Sequence, residues 1–179
     1  MNRRVNLALW IAAGMLAALS PAARAQPGAP TNAAAGDACC NVVANAALHR
    51  LGRVVVTYPA NGVDARLVVY RAGQTKSIAD GYGNKAIDLI PGTYDLEISG
   101  KRIAGVQVQA GHDTQVKVGA LHVQAGKGTR IEIVEPGSDK ELVDAYGEKL
   151  FGLPVGQFGV RVSGQTETVT VTEGETTEF

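Results

Sequence analysis

Aromatic residues are scarce in this chain. They make up 5% of its 179 residues, and Trp10 is the only tryptophan. Platforms that stack bases or sugars lean on exposed aromatic faces, so there is little material for an extensive one. Cysteine is limited to the adjacent pair Cys39-Cys40, too few for a framework of several bridges. The three histidines, His49, His112 and His122, are not spaced as a metal or catalytic pair. Neither charge dominates, with 17 Lys+Arg against 17 Asp+Glu, so no net field draws in nucleic acid or an anionic membrane surface. Gly-x-Ser-x-Gly, a phosphate loop and a dinucleotide fingerprint are all missing. Ser20, Ser77, Ser99, Ser138 and Ser163 have no histidine partner suggested by a motif. The expectation is a protein that is not an enzyme and carries no cofactor.

Long apolar runs are missing too, apart from Leu7 to Leu19. Arg3 and Arg4 precede this run, Ser20-Pro21 breaks it, and Ala23-Arg24-Ala25 follows as a small-x-small cleavage site. Residues 1–25 read as a secretory signal peptide, cut before Gln26, and the run is short for a membrane span. The expected location is the periplasm or the cell exterior. Removal of Arg3, Arg4 and Arg24 leaves 14 basic against 17 acidic residues, a mildly acidic mature chain.

Residues 26–52 read as a flexible leader with the Cys pair and one short helix. From Gln26 to Asp37 the chain is Ala, Gly, Pro, Thr and Asn with no periodicity. Asn41 offers an N-cap and Gly52 a stop, with Val43, Ala47, Leu48 and Leu51 on one face. In an exported protein Cys39 and Cys40 are a candidate disulfide, vicinal or to another chain. A soft-metal site would have only His49 nearby in sequence. Their place before the first expected strand puts them outside the folded core.

From Arg53 on, short β segments alternate with Gly, Asn and Pro turns. Pro91-Gly92 opens the clearest strand, in which Tyr94, Leu96 and Ile98 point one way and Thr93, Asp95, Glu97 and Ser99 the other. That period of two marks a sheet with one face on a core and one in water. The pattern returns 64 residues later, from Gly92 to Gly156, where Phe158, Val160 and Val162 replace the three apolar residues. Lys76, Asp80, Tyr82-Gly83, Lys85, Leu89 and Ser99-Gly100 recur as Lys140, Asp144, Tyr146-Gly147, Lys149, Leu153 and Ser163-Gly164. Apolar positions map to apolar and turn glycines to glycines, the mark of a duplication. Ser138-Asp139-Lys140-Glu141 resembles a helix capping box. The first copy has no helical stripe there, so strand and turn are expected in both. The fold expected is all-β: two tandem small β-sandwich repeats, prealbumin- or immunoglobulin-like, over 53–118 and 119–179.

Two acid–aromatic pairs, Asp80/Tyr82 and Asp144/Tyr146, are the candidate ligand contacts, since a carbohydrate site uses such a pairing. The alternative is a turn in which the aspartate caps backbone amides and the tyrosine packs over the next glycine. Phe179 is expected to close the core at the last strand.

The phrase Ile90-Pro91-Gly92-Thr93-Tyr94-Asp95-Leu96, followed by Val106-Gln107-Val108-Gln109-Ala110-Gly111, resembles the PEGA-like and carboxypeptidase-regulatory-like (transthyretin-like) β-sandwich repeats of bacterial envelope proteins. The resemblance covers roughly 53–179. It departs in the second copy, where Val155-Gly156 replaces Pro91-Gly92. It implies a non-catalytic module that binds surfaces, spaces other domains or assembles. Similar units trail von Willebrand factor A domains, so the resemblance implies an envelope protein as partner, one with such a domain among the candidates. No adhesion motif of that domain is present in this chain.

Overall fold

The computed structural model describes residues 39–179. The expected signal peptide, and the expected leader as far as residue 38, lie outside the described residues. The strands of the first half are β1 (Cys40–Ala44), β2 (Gly52–Val56), β3 (Arg66–Arg71), β4 (Ser77–Tyr82), β5 (Lys85–Leu89), β6 (Gly92–Ile98), β7 (Lys101–Val108) and β8 (His112–Val116). Those of the second are β9 (Val118–Val123), β10 (Arg130–Val134), β11 (Glu141–Tyr146), β12 (Lys149–Pro154), β13 (Gly156–Val162), β14 (Gln165–Val171) and β15 (Thr176–Glu178). No helix among the described residues is long and apolar enough to cross a membrane. The expected choice of strand and turn over 139–150 matches β11 and β12.

The strands form four small sheets, in the orders β1-β8-β2-β5, β4-β3-β6-β7, β12-β9-β15 and β11-β10-β13-β14. Here the sequence-based expectation is corrected. The four sheets are arranged as a four-bladed, propeller-like ring, not as two tandem β-sandwich repeats. The described residues belong to one compact unit, with no break near residue 118. The physical reason is visible at the junction. Only Lys117 separates β8 from β9, and Val118 and Ala120 bury in the same apolar cluster as β2, β3 and β6. Ser99 Oγ donates to the Gly152 carbonyl at 2.7 Å, and Asp64 forms an isolated bridge with Phe151. Lys149 and Lys101 of opposite halves pair with Asp64 at 2.6 Å and with Glu135 at 2.8 Å.

The duplication is written into the pairing. The order β4-β3-β6-β7 recurs as β11-β10-β13-β14, and β5-β2-β8 as β12-β9-β15, with β2–β8 and β9–β15 both parallel. The Ser-Gly turns agree even in backbone: φ is 45° and 77° at Ser99-Gly100, and 51° and 82° at Ser163-Gly164. A two-residue turn of positive φ matches the twist of the strands that it joins. Alternation then divides the chain. Tyr94, Leu96 and Ile98 bury with Leu67 and Val69, while Phe158 and Val160 bury with Ile131 and Ile133. Phe179 packs partly buried against this second cluster, as expected.

The leader expectation is also corrected. Residues 40–44 are strand β1, antiparallel to β8 with Cys40 opposite Val116, and Ala46–Leu48 is one 3-10 turn capped by Asn45. Asn41 and Gly52 therefore bound no helix. Cys40 is 7% exposed and belongs to the first core cluster, so the pair does not lie outside the core. A hydrogen bond with the Cys39 side chain, and then burial, push the Cys40 thiol pKa above its ordinary value.

One buried charge is structural. Asp95, 5% exposed, accepts from Gly73 N at 3.1 Å, Gly105 N at 3.0 Å and Arg102 Nη2 at 3.1 Å, and Arg102 lies over the Tyr70 ring. The Gly105 amide above all, with Gly73 and Arg102, lowers its pKa despite burial. A lowered folded pKa stabilises the fold above the unfolded aspartate value near ~3.9, and that stability is lost as pH falls through the folded value. Asp95→Asn is expected to cost about 1–3 kcal/mol at neutral pH and to flatten the loss of stability below about pH 4. Urea midpoints of both proteins across that range check this.

Candidate functional site

The candidate residues sit on two equivalent edge strands. In the first half Arg66 on β3 stands opposite Tyr82 on β4, and Val68 opposite Asp80. Alternation places Arg66, Asp80 and Tyr82 together on the outer face, since Leu67 and Val69 face the core. Arg66 Nη2 lies 3.1 Å from Asp80 Oδ2. In the second half Arg130 stands opposite Tyr146, and Arg130 Nε lies 3.1 Å from Asp144 Oδ2. Both arginines are held above their ordinary pKa, chiefly by the hydrogen bond to the aspartate.

The aspartates pair with arginine side chains, and the tyrosines are 66% and 64% exposed. Large aromatic rings this open, at the same register 64 residues apart, are surface displayed twice. Arg66 and Arg130 are equivalent positions of the 64-residue repeat, but the sequence reading did not place them in the site. The signal was there, since each arginine precedes its aspartate by 14 residues.

The surroundings differ between the copies. A depression of about 340 Å³ beside Tyr82 is lined by Arg66, Val68, Glu97 and Ser99 and is flanked by Leu142 and Val143 of the other half. Its counterpart of about 450 Å³ is lined by Thr129, Arg130, Glu132, Arg161, Ser163 and Gly164. There Val68 has become Glu132 and Glu97 has become Arg161. Arg130 meets Glu132, Glu141 at 2.8 Å and Asp144, while Arg161 meets Glu132 at 3.2 Å and Asp139. The first site offers an aromatic face beside a partly apolar wall. The second offers the same face beside an ion-pair lattice. Both suit a polar, extended surface ligand with planar or apolar faces.

The histidines fall elsewhere. His112 Nδ1 lies 2.8 Å from the Ala110 carbonyl, and His49 sits just after the 3-10 turn with φ of 48°. His122 on β9 links β15 to the turn before β12, with Nδ1 2.7 Å from Glu178 and Nε2 2.9 Å from Glu148. The Glu178 contact first, then Glu148, raises its pKa.

No family model matches the chain, and no curated protein matches it. Among solved structures the chain is similar to the Bacillus anthracis TIE protein, at 17% identity and a TM-score of 0.32. The likeness covers 72% of this chain and 33% of that one, so the chain spans about a third of that structure's length.

Proposed function

We propose that this chain is an exported, non-catalytic interaction or scaffold module of the bacterial cell envelope, acting in the periplasm or outside the cell after loss of residues 1–25. The observation that carries the reading is the pair Tyr82 and Tyr146, two exposed aromatic rings held at matching positions beside an Arg–Asp pair. Exposed tyrosine flanked by arginine is the composition of protein-binding surfaces. The PEGA-like resemblance supports an envelope protein as partner, and one carrying a von Willebrand factor A domain is the first to test. A second reading, a carbohydrate-binding module, uses the same Asp80/Tyr82 and Asp144/Tyr146 pairs, and the exposure of both rings favours it as well.

The Tyr82→Ala, Tyr146→Ala double variant separates these readings. Both side chains are mostly in solvent, so stability should stay within about 0.5 kcal/mol. Capture of an envelope protein by the wild type, lost in the variant, supports the scaffold reading. Selective glycan binding on an array, lost in the variant, supports the carbohydrate reading. Retention of all binding by the double variant would remove the tyrosines from both.

A further inference from the structure

The two halves differ in one structural place. In the first, β8 is flanked by β2 on one side and β1 on the other. In the second, β15, the equivalent of β8, is flanked by β9 alone, and no strand among the described residues holds the place of β1. The match is residue for residue. Arg53 stands opposite Asp113 in the first half, and Ala120 opposite Thr176 in the second, so His112–Val116 corresponds to 175–179.

The edge so exposed is a templating surface. Phe179 N donates to His122 O and its carbonyl accepts from Gln124 N, while Glu175 O accepts from Ala120 N. Residues alternate in a strand, so Thr176 and Glu178 turn their N–H and C=O groups outward. These are the counterparts of Asp113 and Gln115, which stand opposite Val43 and Asn41 of β1. Side chains add a sign. Glu173, Glu175 and Glu178 are exposed, and Glu148 lies across His122 from Glu178. Even a protonated His122 leaves that trio net negative. Phe179, the counterpart of Val116, is only half-buried, whereas Val116 is 5% exposed opposite the buried Cys40.

We propose that β15 accepts an added antiparallel strand from a partner protein, in the place that β1 holds on β8, and that this strand is basic. Its backbone completes the hydrogen bonds of Thr176 and Glu178, as in other sheet-edge complexes. An apolar residue at the position of Cys40 covers Phe179. Lysine or arginine at the position of Asn41 faces Glu178, and another at the position of Ala44 faces Glu175. The proposal does not depend on the tyrosine pairs, which lie on a different sheet.

A capped peptide tests this on the full chain. It follows Cys39–Asn45 in order, with serine for the first cysteine, valine for the second, and lysine in place of Asn41 and Ala44. A control carries glutamate at those two places. The lysine peptide should bind at least tenfold more tightly than the control, and less tightly as salt rises. It should also slow hydrogen exchange at the Thr176 and Glu178 amides. Glu175→Lys with Glu178→Lys should reverse the preference. Glu175→Lys alone, on an exposed residue away from His122, should reduce it if the double variant does not fold. Equal or absent binding of the two peptides overturns the proposal. So does slow exchange of both amides in the free protein, and protection that grows with protein concentration alone would assign the edge to a second copy instead.

Discussion

Phe158→Ala and Tyr94→Ala are each expected to lower stability by about 3–5 kcal/mol, the range for removing a large aromatic side chain from a packed interior. Phe158 is 1% exposed and Tyr94 is 4% exposed, each the first inward residue of β13 and β6. Deleting either ring leaves a cavity walled by strands that cannot collapse without breaking register. Phe158 packs in the cluster of Ile131, Ile133 and Val160, and Tyr94 in that of Leu67, Val69 and Val106. The two differ in one respect. The Tyr94 hydroxyl donates to the Ile90 carbonyl at 2.6 Å, so Tyr94→Phe isolates the hydrogen bond, about 1 kcal/mol, from the ring. Denaturant midpoints of the three variants check both numbers. Near-neutral results at Phe158 and Tyr94 would mean that the inward faces of β6 and β13 are assigned wrongly.

Gly119→Ala and Gly52→Ala are expected to be destabilising too, for the opposite reason. A Cβ at Gly119 would sit 2.2 Å from the Thr172 carbonyl oxygen, and one at Gly52 would sit 2.4 Å from that of Gln109. These glycines are counterparts: Gly119 on β9 stands opposite Leu153, and Gly52 on β2 opposite Leu89. In each half the chain leaving β14 or β7 crosses tightly over that strand. The obstacle is backbone, which cannot rotate aside like a side chain. Each substitution should cost at least the upper part of the ~1–3 kcal/mol typical of overpacking. Gly126→Ala, where the nearest atom is the Thr129 hydroxyl at 3.4 Å, is the control and should change stability by no more than about 0.5 kcal/mol. Thermal unfolding of the three variants checks the order, and a mild Gly119→Ala would show that the crossing is looser than described.

Alternation and turn chemistry carried much of the strand pattern. Tyr94, Leu96 and Ile98 alternate with polar neighbours and are all buried, as that pattern expects. The opposite face is not left to water, since Asp95 and Ser99 on it are buried too. Asp95 is bonded by Gly73, Gly105 and Arg102, and Ser99 is bonded to the Gly152 carbonyl. Ser99-Gly100 and Ser163-Gly164 need positive φ, and that local demand is satisfied by glycine and a small polar residue whatever lies around them. The duplication followed from the same local rules written twice. The tyrosine pairs were visible as a recurring Asp-x-Tyr. Their exposure and the salt bridges beside them were not, because Arg66 and Arg130 meet the aspartates only through the pairing of β3 with β4 and β10 with β11.

Only the tertiary structure decided the rest. A period of two says that a strand has an inside and an outside. It does not say which strand lies beside it, so four sheets in a ring and two sandwiches are written with the same alternation. Cys40–Ala44 shows the limit most sharply. Val43, Ala47, Leu48 and Leu51 can share a helical face, yet a helix this short is marginal unless packing supports it. Hydrogen bonds to β8, a strand that arrives some seventy residues later, outweigh that weak local preference. The burial of Cys40, the close crossings at Gly52 and Gly119 and the open edge of β15 share this origin. Each is a relation between segments far apart in sequence, and no local pattern encodes it.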